Sequence, residues 1–166
     1  MRVRPAAETD AVEVRSVLTA AFPTAAEADL VEALARDGDL VLGFVAVDDG
    51  QVIGYAAFSR MAVVADQVRV AALALGPIAV LPGFQRRGIG GRLIESGLAA
   101  ANGRGVPLVF VLGDPDFYSR FGFRGQAAAP FASPYAGPHL MAQWLSSPRV
   151  PASGCAEYAP AFASLG

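Results

Sequence analysis

The sequence predicts an α/β fold of the α+β type, a mixed and mainly antiparallel sheet flanked by helices, from three features. Two segments of helical periodicity come first. A run of β-rich segments joined by a hairpin turn follows, and a strand, turn, helix, strand unit occupies the middle of the chain. At 166 residues the chain suits one domain, 1–166, with residues 125–166 expected as a proline-rich C-terminal part packed on the sheet.

Val3 and Arg4 open the first strand. Thr9 and Asp10 offer N-caps to AVEVRSVLTAAF, where Val14, Val17, Leu18 and Ala21 recur at helical spacing and the helix runs to Phe22, before Pro23. AEADLVEALARDG makes a second helix, with Ala26, Leu30, Leu34 and Ala35 on one side and Gly38 as C-cap. In LVLGFVAVDDGQVIGYAAFSRMAVV the character changes, and Asp49-Gly50 supplies the turn of a hairpin. The run QVRVAALALGPIAVL is expected as the next strand of a meander. Pro77 lacks the N–H of a continuous ladder, so that strand should bulge or splay at Gly76-Pro77.

From Ile89 to Arg104 the pattern is helical again, with Ile89, Leu93, Leu98 and Ala101 roughly on one face, and VPLVFVLGD reads as a buried strand. Together with the preceding strand these make a β-α-β unit. Beyond Gly125 proline and glycine abound, and HLMAQWL and CAEYAPAF are the strand candidates.

Composition removes several function classes. With 54% apolar and 17% charged residues the chain is a folded globular protein rather than a disordered one. A formal net charge of −2 gives no basic excess, so no nucleic-acid partner is expected. One cysteine, Cys155, and one histidine, His139, exclude an internal disulfide and leave no Cys/His zinc cluster. No metal is expected. MRVRPAAETD turns acidic before a signal-peptide core forms, and VAALALGPIAVL is shorter than the roughly 20 residues of a membrane helix. The expectation is a soluble cytoplasmic protein, monomer or homodimer, without a membrane partner.

The densest chemical signal is PGFQRRGIGGRL, residues 82–93, at a strand-to-helix turn. The first N–H groups of a helix lack intrahelical acceptors and, with the helix dipole, form an anion site. Gly83, Gly88, Gly90 and Gly91 leave backbone open to a phosphate, and Arg86 and Arg87 add charge-assisted donors. A Walker A loop requires a lysine where Ile89 stands, and the dinucleotide fingerprint requires glycine or alanine where Leu93 stands.

Gln85, Gly88 and Gly90 do form Q-x-x-G-x-G directly after the apolar strand ending IAVLP, and Tyr118, Gly122 and Phe123 form Y-x-x-x-G-F after the next strand. In this order the two motifs resemble those of the GNAT superfamily of acyl-CoA-dependent N-acetyltransferases. LGPIAVLPGFQRRGIG with LGDPDFYSRFGF, and the tail GCAEYAPAF, is similar to its YhbS-like subgroup, over nearly the whole chain. The resemblance implies a GNAT-like sheet splayed between its fourth and fifth strands, with acetyl-CoA as acyl donor. It implies coenzyme contacts at Ile78, Ala79 and Val80 on the strand, and at Gln85, Arg86, Arg87, Gly88, Ile89, Gly90 and Gly91 in the loop and helix start.

Acyl transfer to an amine needs a neutral nucleophile, a stabilised oxyanion and a proton for the departing thiolate. Tyr118 is the candidate proton donor, since a phenol with an ordinary pKa of about 10 is protonated at neutral pH. The resemblance assigns the polarising N–H to Val80. Many family members carry a glutamate on the coenzyme strand, but no acidic residue occurs from Gln67 to Ile94. Asp114 and Glu27 are the substitutes, acting through water, and His139 is a further titratable group. Phe22, Phe58, Phe131, Tyr135 and Trp144 are the aromatic candidates for an acceptor pocket. The implied function is N-acetyl or short-acyl transfer to a primary amine by direct attack in a ternary complex. Cys155 lies too far from either motif for an acyl-enzyme to be proposed. The missing strand glutamate suggests a rival, a non-catalytic acyl-CoA sensor; a third reading is a domain for another nucleotide.

Overall fold

The computed structural model describes residues 1–165. The N-terminal half places β1 (Arg2–Pro5), α1 (Ala11–Ala21), α2 (Ala26–Arg36), β2 (Leu40–Asp48) and β3 (Gln51–Arg60) in order. Then come β4 (Ala62–Ala65), β5 (Val68–Val70), β6 (Ala72–Val80), α3 (Ile89–Gly103) and β7 (Leu108–Leu112). The remainder holds α4 (Pro115–Tyr118), α5 (Gly125–Ala128), β8 (Phe131–Ala132), β9 (Leu140–Trp144) and β10 (Gly154–Glu157), before a 3₁₀ segment at Pro160–Leu165.

The main sheet has the order β1-β2-β3-β6-β7-β9 and is antiparallel except between β6 and β7, the pair joined through α3. A smaller sheet runs β5-β4-β10-β8. Alternation along the strands decides which helix meets which face. Val45, Val52, Tyr55 and Ala57 pack with Val14, Val17 and Leu18 of α1 and Val31 of α2. Phe44, Ile53 and Phe58 turn the other way and pack with Leu93, Ile94 and Leu98 of α3. α3 lies so close to the sheet that a Cβ at Gly97 would enter the ring of Phe58, which is fully buried.

β6 departs from the expected single strand at both ends. The segment 61–70 forms its own hairpin, β4 and β5, whose turn holds Asp66 and Gln67 at positive φ. Asp66 accepts from the backbone N–H groups of Ala152 and Ser153, fixing that turn against the C-terminal segment. Further along, three steps of β6, from Leu75 to Ile78, face two of β3, from Phe58 to Ala56; this is a bulge at Gly76-Pro77. Pairing with β7 covers Ala72 to Leu75 only, while pairing with β3 continues to Val80. One edge of Gly76 to Val80 is therefore left open, the splay between the fourth and fifth strands counted without the β4–β5 hairpin.

Asp10 stands at the N-cap position of α1, but its side chain makes no bond to the helix amides. Its carboxylate takes a two-pronged contact from the Arg4 guanidinium, at 2.8 and 2.9 Å, and accepts from the Ala7 N–H at 2.7 Å. Asp10 is buried, and the Arg4 contact above all, with the Ala7 bond, lowers its pKa to about 2. Arg4 outcompetes the helix end as a partner because it is charged and reaches both oxygens. α1 ends at Ala21, one residue before the expected stop at Phe22. α2 closes as expected, with Gly38 at φ 77 just beyond it. The C-terminal part does more than wrap the sheet: β9 extends the main sheet against β7, and β8 and β10 complete the smaller one.

Candidate active site

The open edge of β6 separates two cavities. Leu81 N–H donates to Ile53 on β3 at 2.8 Å, so strand alternation turns Val80 and Ile78 toward the open side and Ala79 toward β3. The Ala79 carbonyl indeed faces Gly54, and the Ala79 side chain is buried beneath α1. Among the strand residues named from sequence, Ile78 thus has free main-chain groups toward the opening and Val80 a free N–H, its carbonyl being taken by Gln85. Ala79 has none, a correction that follows from the two-residue repeat of a strand.

On one side, a cleft of about 650 Å³ is lined by Val80, Gln85, Arg86, Gly88 and the start of α3. The helix begins abruptly because Gly88, at φ 78, takes the left-handed conformation that a side chain disfavours. Arg92 N–H is the first to donate to a carbonyl of the turn, that of Gly88 at 3.2 Å. The amides of Gly88, Ile89, Gly90 and Gly91 precede it and, as the first four of the helix, have no intrahelical acceptor. Gln85 steadies this loop from within, donating through Nε2 to the Val80 carbonyl at 3.0 Å.

The glycines divide by task. Gly88 supplies the backbone conformation, and Gly90 leaves space up to the Phe117 ring, 4.0 Å from where a Cβ would stand. A Cβ at Gly91 would come within 3.0 Å of the Phe121 ring, so Gly91 lets that aromatic pack. Ile89 buries its side chain in the core and offers only its amide. Arg86 lines the cleft; Arg87 does not, its guanidinium lying 5.4 Å from the centre of the ring of Phe84, which is itself a cleft wall. The second cation comes instead from Arg92 and the third from Arg120, neither singled out in the sequence reading. Arg120 sits over Phe117 at 4.7 Å and over Phe121 at 5.7 Å. Its place inside the tyrosine motif, two residues past Tyr118, was the signal available for finding it.

On the other side, a cavity of about 370 Å³ brings together Glu27 of α2, Gly76 to Ile78 of β6, Tyr118 of α4, Tyr135, and Tyr158 with the segment after it. α4 lies across the boundary, with Phe117 in the cleft and Tyr118 in the cavity, the rings 4.9 Å apart and edge to face. Gly113 is required here, because a Cβ would overlap the Tyr118 ring. Burial raises the Tyr118 pKa above its ordinary value, and the negative charge of Asp114 adds to the shift. The phenol is therefore held protonated at neutral pH.

Asp114 does not line the cavity. Its carboxylate accepts from the Asp116 N–H at 3.0 Å and caps α4, the usual employment of an aspartate before Pro115. Glu27 does line it, and its Oε1 is buried without a hydrogen-bond partner. Of the aromatic candidates, Phe22 and Tyr135 are cavity walls, while Phe58 and Phe131 belong to the buried cores and Trp144 lies on β9 beneath Arg149. Tyr158 and Phe162 are walls that sequence reasoning missed. His139 is exposed and lines neither cavity, and Cys155 opens on a groove by the smaller sheet. Among the described residues no helix is long and apolar enough to cross a membrane.

This arrangement has counterparts in known proteins. Residues 40–125 match the acetyltransferase (GNAT) domain. The chain is 42% identical to the N-acetyltransferase YhbS of Escherichia coli K12 over 124 residues, 74% of this chain and 73% of that protein. It superposes on the crystal structure of Escherichia coli YhbS in complex with CoA with a TM-score of 0.88 and 34% identity, covering 99% of this chain and 93% of that one. A GNAT family acetyltransferase from Brucella melitensis in complex with acetyl-CoA gives a TM-score of 0.80 at 34% identity, with 97% of each chain covered.

Proposed function

This chain belongs to the GNAT acetyltransferases, and on that premise we propose that it transfers the acetyl group of acetyl-CoA to a primary amine by direct attack in a ternary complex. The reading is carried by one observation: the anion-binding cleft, at Val80, and the Tyr118 cavity, at Gly76 to Ile78, flank the same open stretch of β6. Acetyl-CoA supplies an activated thioester and a pyrophosphate that suits the cleft, where free amides and three arginines, Arg86, Arg92 and Arg120, outweigh the one carboxylate of the lining, Glu95. Ile78 and Val80 offer main-chain partners to the arm between the two ends. Residues 1–166 act as one acyltransferase domain in this reading.

The residues then divide the chemistry. The Val80 N–H faces the opening and polarises the thioester carbonyl, stabilising the oxyanion. The amine approaches through the 370 Å³ cavity, and Glu27 takes its proton, directly or through one water. A C–N bond forms and the C–S bond breaks. Tyr118, held protonated until the thiolate appears, gives its proton to that departing sulfur. The carboxylate absent from the coenzyme strand is thus supplied by α2 from across the cavity. Asp114 acts on the reaction only through Tyr118, by positioning α4 and favouring the neutral phenol.

Calorimetric titration with acetyl-CoA, CoA and ATP, followed by thiol release over a panel of amines, tests the reading. Saturable binding of both coenzymes with amine-dependent thiol release is the expected outcome. Tight ATP binding without CoA binding would overturn it, and coenzyme binding without turnover on any amine would return the sensor.

A further inference from the structure

We propose that the acceptor is a small primary amine with a single positive charge on an apolar or aromatic body that carries one hydroxyl or carbonyl oxygen. The proposal rests on the acetyltransferase reading and takes its substance from the cavity around Tyr118. At about 370 Å³ that cavity is at the small end of ligand sites, sized for a compact molecule. Its walls are Phe22, Tyr118, Tyr135, Tyr158 and Phe162, with aliphatic residues between them. Glu27 is the one acidic side chain among the residues that line it, and no basic side chain accompanies it.

That single carboxylate sets the charge of the ligand. Glu27 Oε1 is buried with no partner, and an unpaired buried carboxylate oxygen is costly unless a cation or donor meets it. One ammonium satisfies it. A second cationic group, as on a polyamine, would be desolvated without a counter-charge among these walls. An acceptor with its own carboxylate would face Glu27 and no lining cation. Aromatic rings suit an ammonium and an apolar body together.

A second orphan gives the proposal its polar detail. The Tyr158 hydroxyl is also buried without a partner. Its ring is fixed edge to face between Tyr135, at 5.1 Å, and Phe162, at 5.0 Å, so the hydroxyl cannot swing out to water without undoing both contacts. Glu27 and Tyr158 come from opposite ends of the chain and face the same space. A ligand with an ammonium at one place and a hydroxyl or carbonyl at another satisfies both.

Thiol-release kinetics with tyramine, phenethylamine, spermidine and a lysine-containing peptide test this. Tyramine and phenethylamine are expected to exceed spermidine and the peptide in kcat/KM by about tenfold or more, the discrimination of one uncompensated charge. Tyramine should exceed phenethylamine about three- to tenfold through its hydroxyl, and in Tyr158→Phe that ratio should fall toward one. Spermidine or the peptide as best acceptor would overturn the proposal. Equal loss of both arylalkylamines in Tyr158→Phe would reduce Tyr158 to packing and overturn its part. Acetyl-CoA titration of each variant confirms folding and keeps the outcomes apart. A protein that binds acetyl-CoA and acetylates a different amine refutes this inference alone, whereas one that binds no coenzyme refutes the reading beneath it.

Discussion

The cleft beside α3 draws most of its candidate ligand groups from one contiguous stretch, residues 85–92, largely from the main chain, with Arg120 joining from just beyond α4. The cavity beside α2 gathers side chains from Phe22, Glu27, Tyr118, Tyr135 and Tyr158, spread over almost the whole sequence. The match to the acetyltransferase domain, residues 40–125, contains the first region entirely and only Tyr118 of these five. A site of backbone amides is defined by where the chain turns, so it keeps a spacing that can be read. A site of side chains from distant segments is defined by what folds against what, and has no spacing to read.

The sharpest way to separate the two regions is Tyr118→Phe, which removes one proton and little volume. It should lower kcat by about 10²- to 10⁴-fold, while acetyl-CoA affinity measured by calorimetry stays within a few-fold. With the phenol raised above its ordinary value, the alkaline fall of kcat should lie above pH 10 and disappear in the variant. A variant with full kcat would remove Tyr118 from the chemistry.

Asp10→Asn addresses the support of the acceptor side, since the Arg4 contact fixes the chain where it enters α1. Loss of the charged contacts should cost about 2 kcal/mol in denaturant unfolding. A folded pKa lowered from 3.8 to about 2 means stability that is present above about pH 4 and lost as pH falls through 2. The variant should lack that acid limb. An unchanged unfolding midpoint would show the pair to be dispensable.

Donor-side changes come next. Gly88→Val places a branched residue at φ 78, a strain of roughly 1–2 kcal/mol, and should weaken acetyl-CoA binding about five- to thirtyfold with little change in acceptor preference. Gln85→Ala deletes the single bond to the Val80 carbonyl and should weaken binding only about two- to tenfold. If either variant changed the ranking of amines instead, the two regions would be coupled more tightly than their separate construction implies.

What the sequence revealed follows the same division. α1, α2, α3, the first hairpin and the bulge at Gly76-Pro77 were legible because periodicity, Asp49-Gly50 and a proline are local signals. The β4–β5 hairpin was not, since its turn at Asp66 and Gln67 lacks glycine and is secured by Ala152 and Ser153 far along the chain. Asp10 takes the N-cap position read from the sequence, but its carboxylate goes to Arg4, which strand pairing brings to it. Arg92 joined Arg86 in the cleft lining for a similar reason: where α3 begins determines which arginines of the stretch face it. Glu27 was named but stood level with Asp114 until the cap on α4 occupied one of them. Tyr158 carried no local mark at all.

The close seating of Gly97 on Phe58 turns α3 into a lever. Its fulcrum lies eight residues from Ile89, about 12 Å along the helix axis. A methyl group added at Gly97 would lift the middle of the helix from the sheet, and the far end, with its row of amides, would tip. In the proposed reading, the fit of a phosphate at one end would thereby depend on a hydrogen atom two turns away. A lineage altering its donor preference could do so from behind the site, leaving every residue of the loop unchanged.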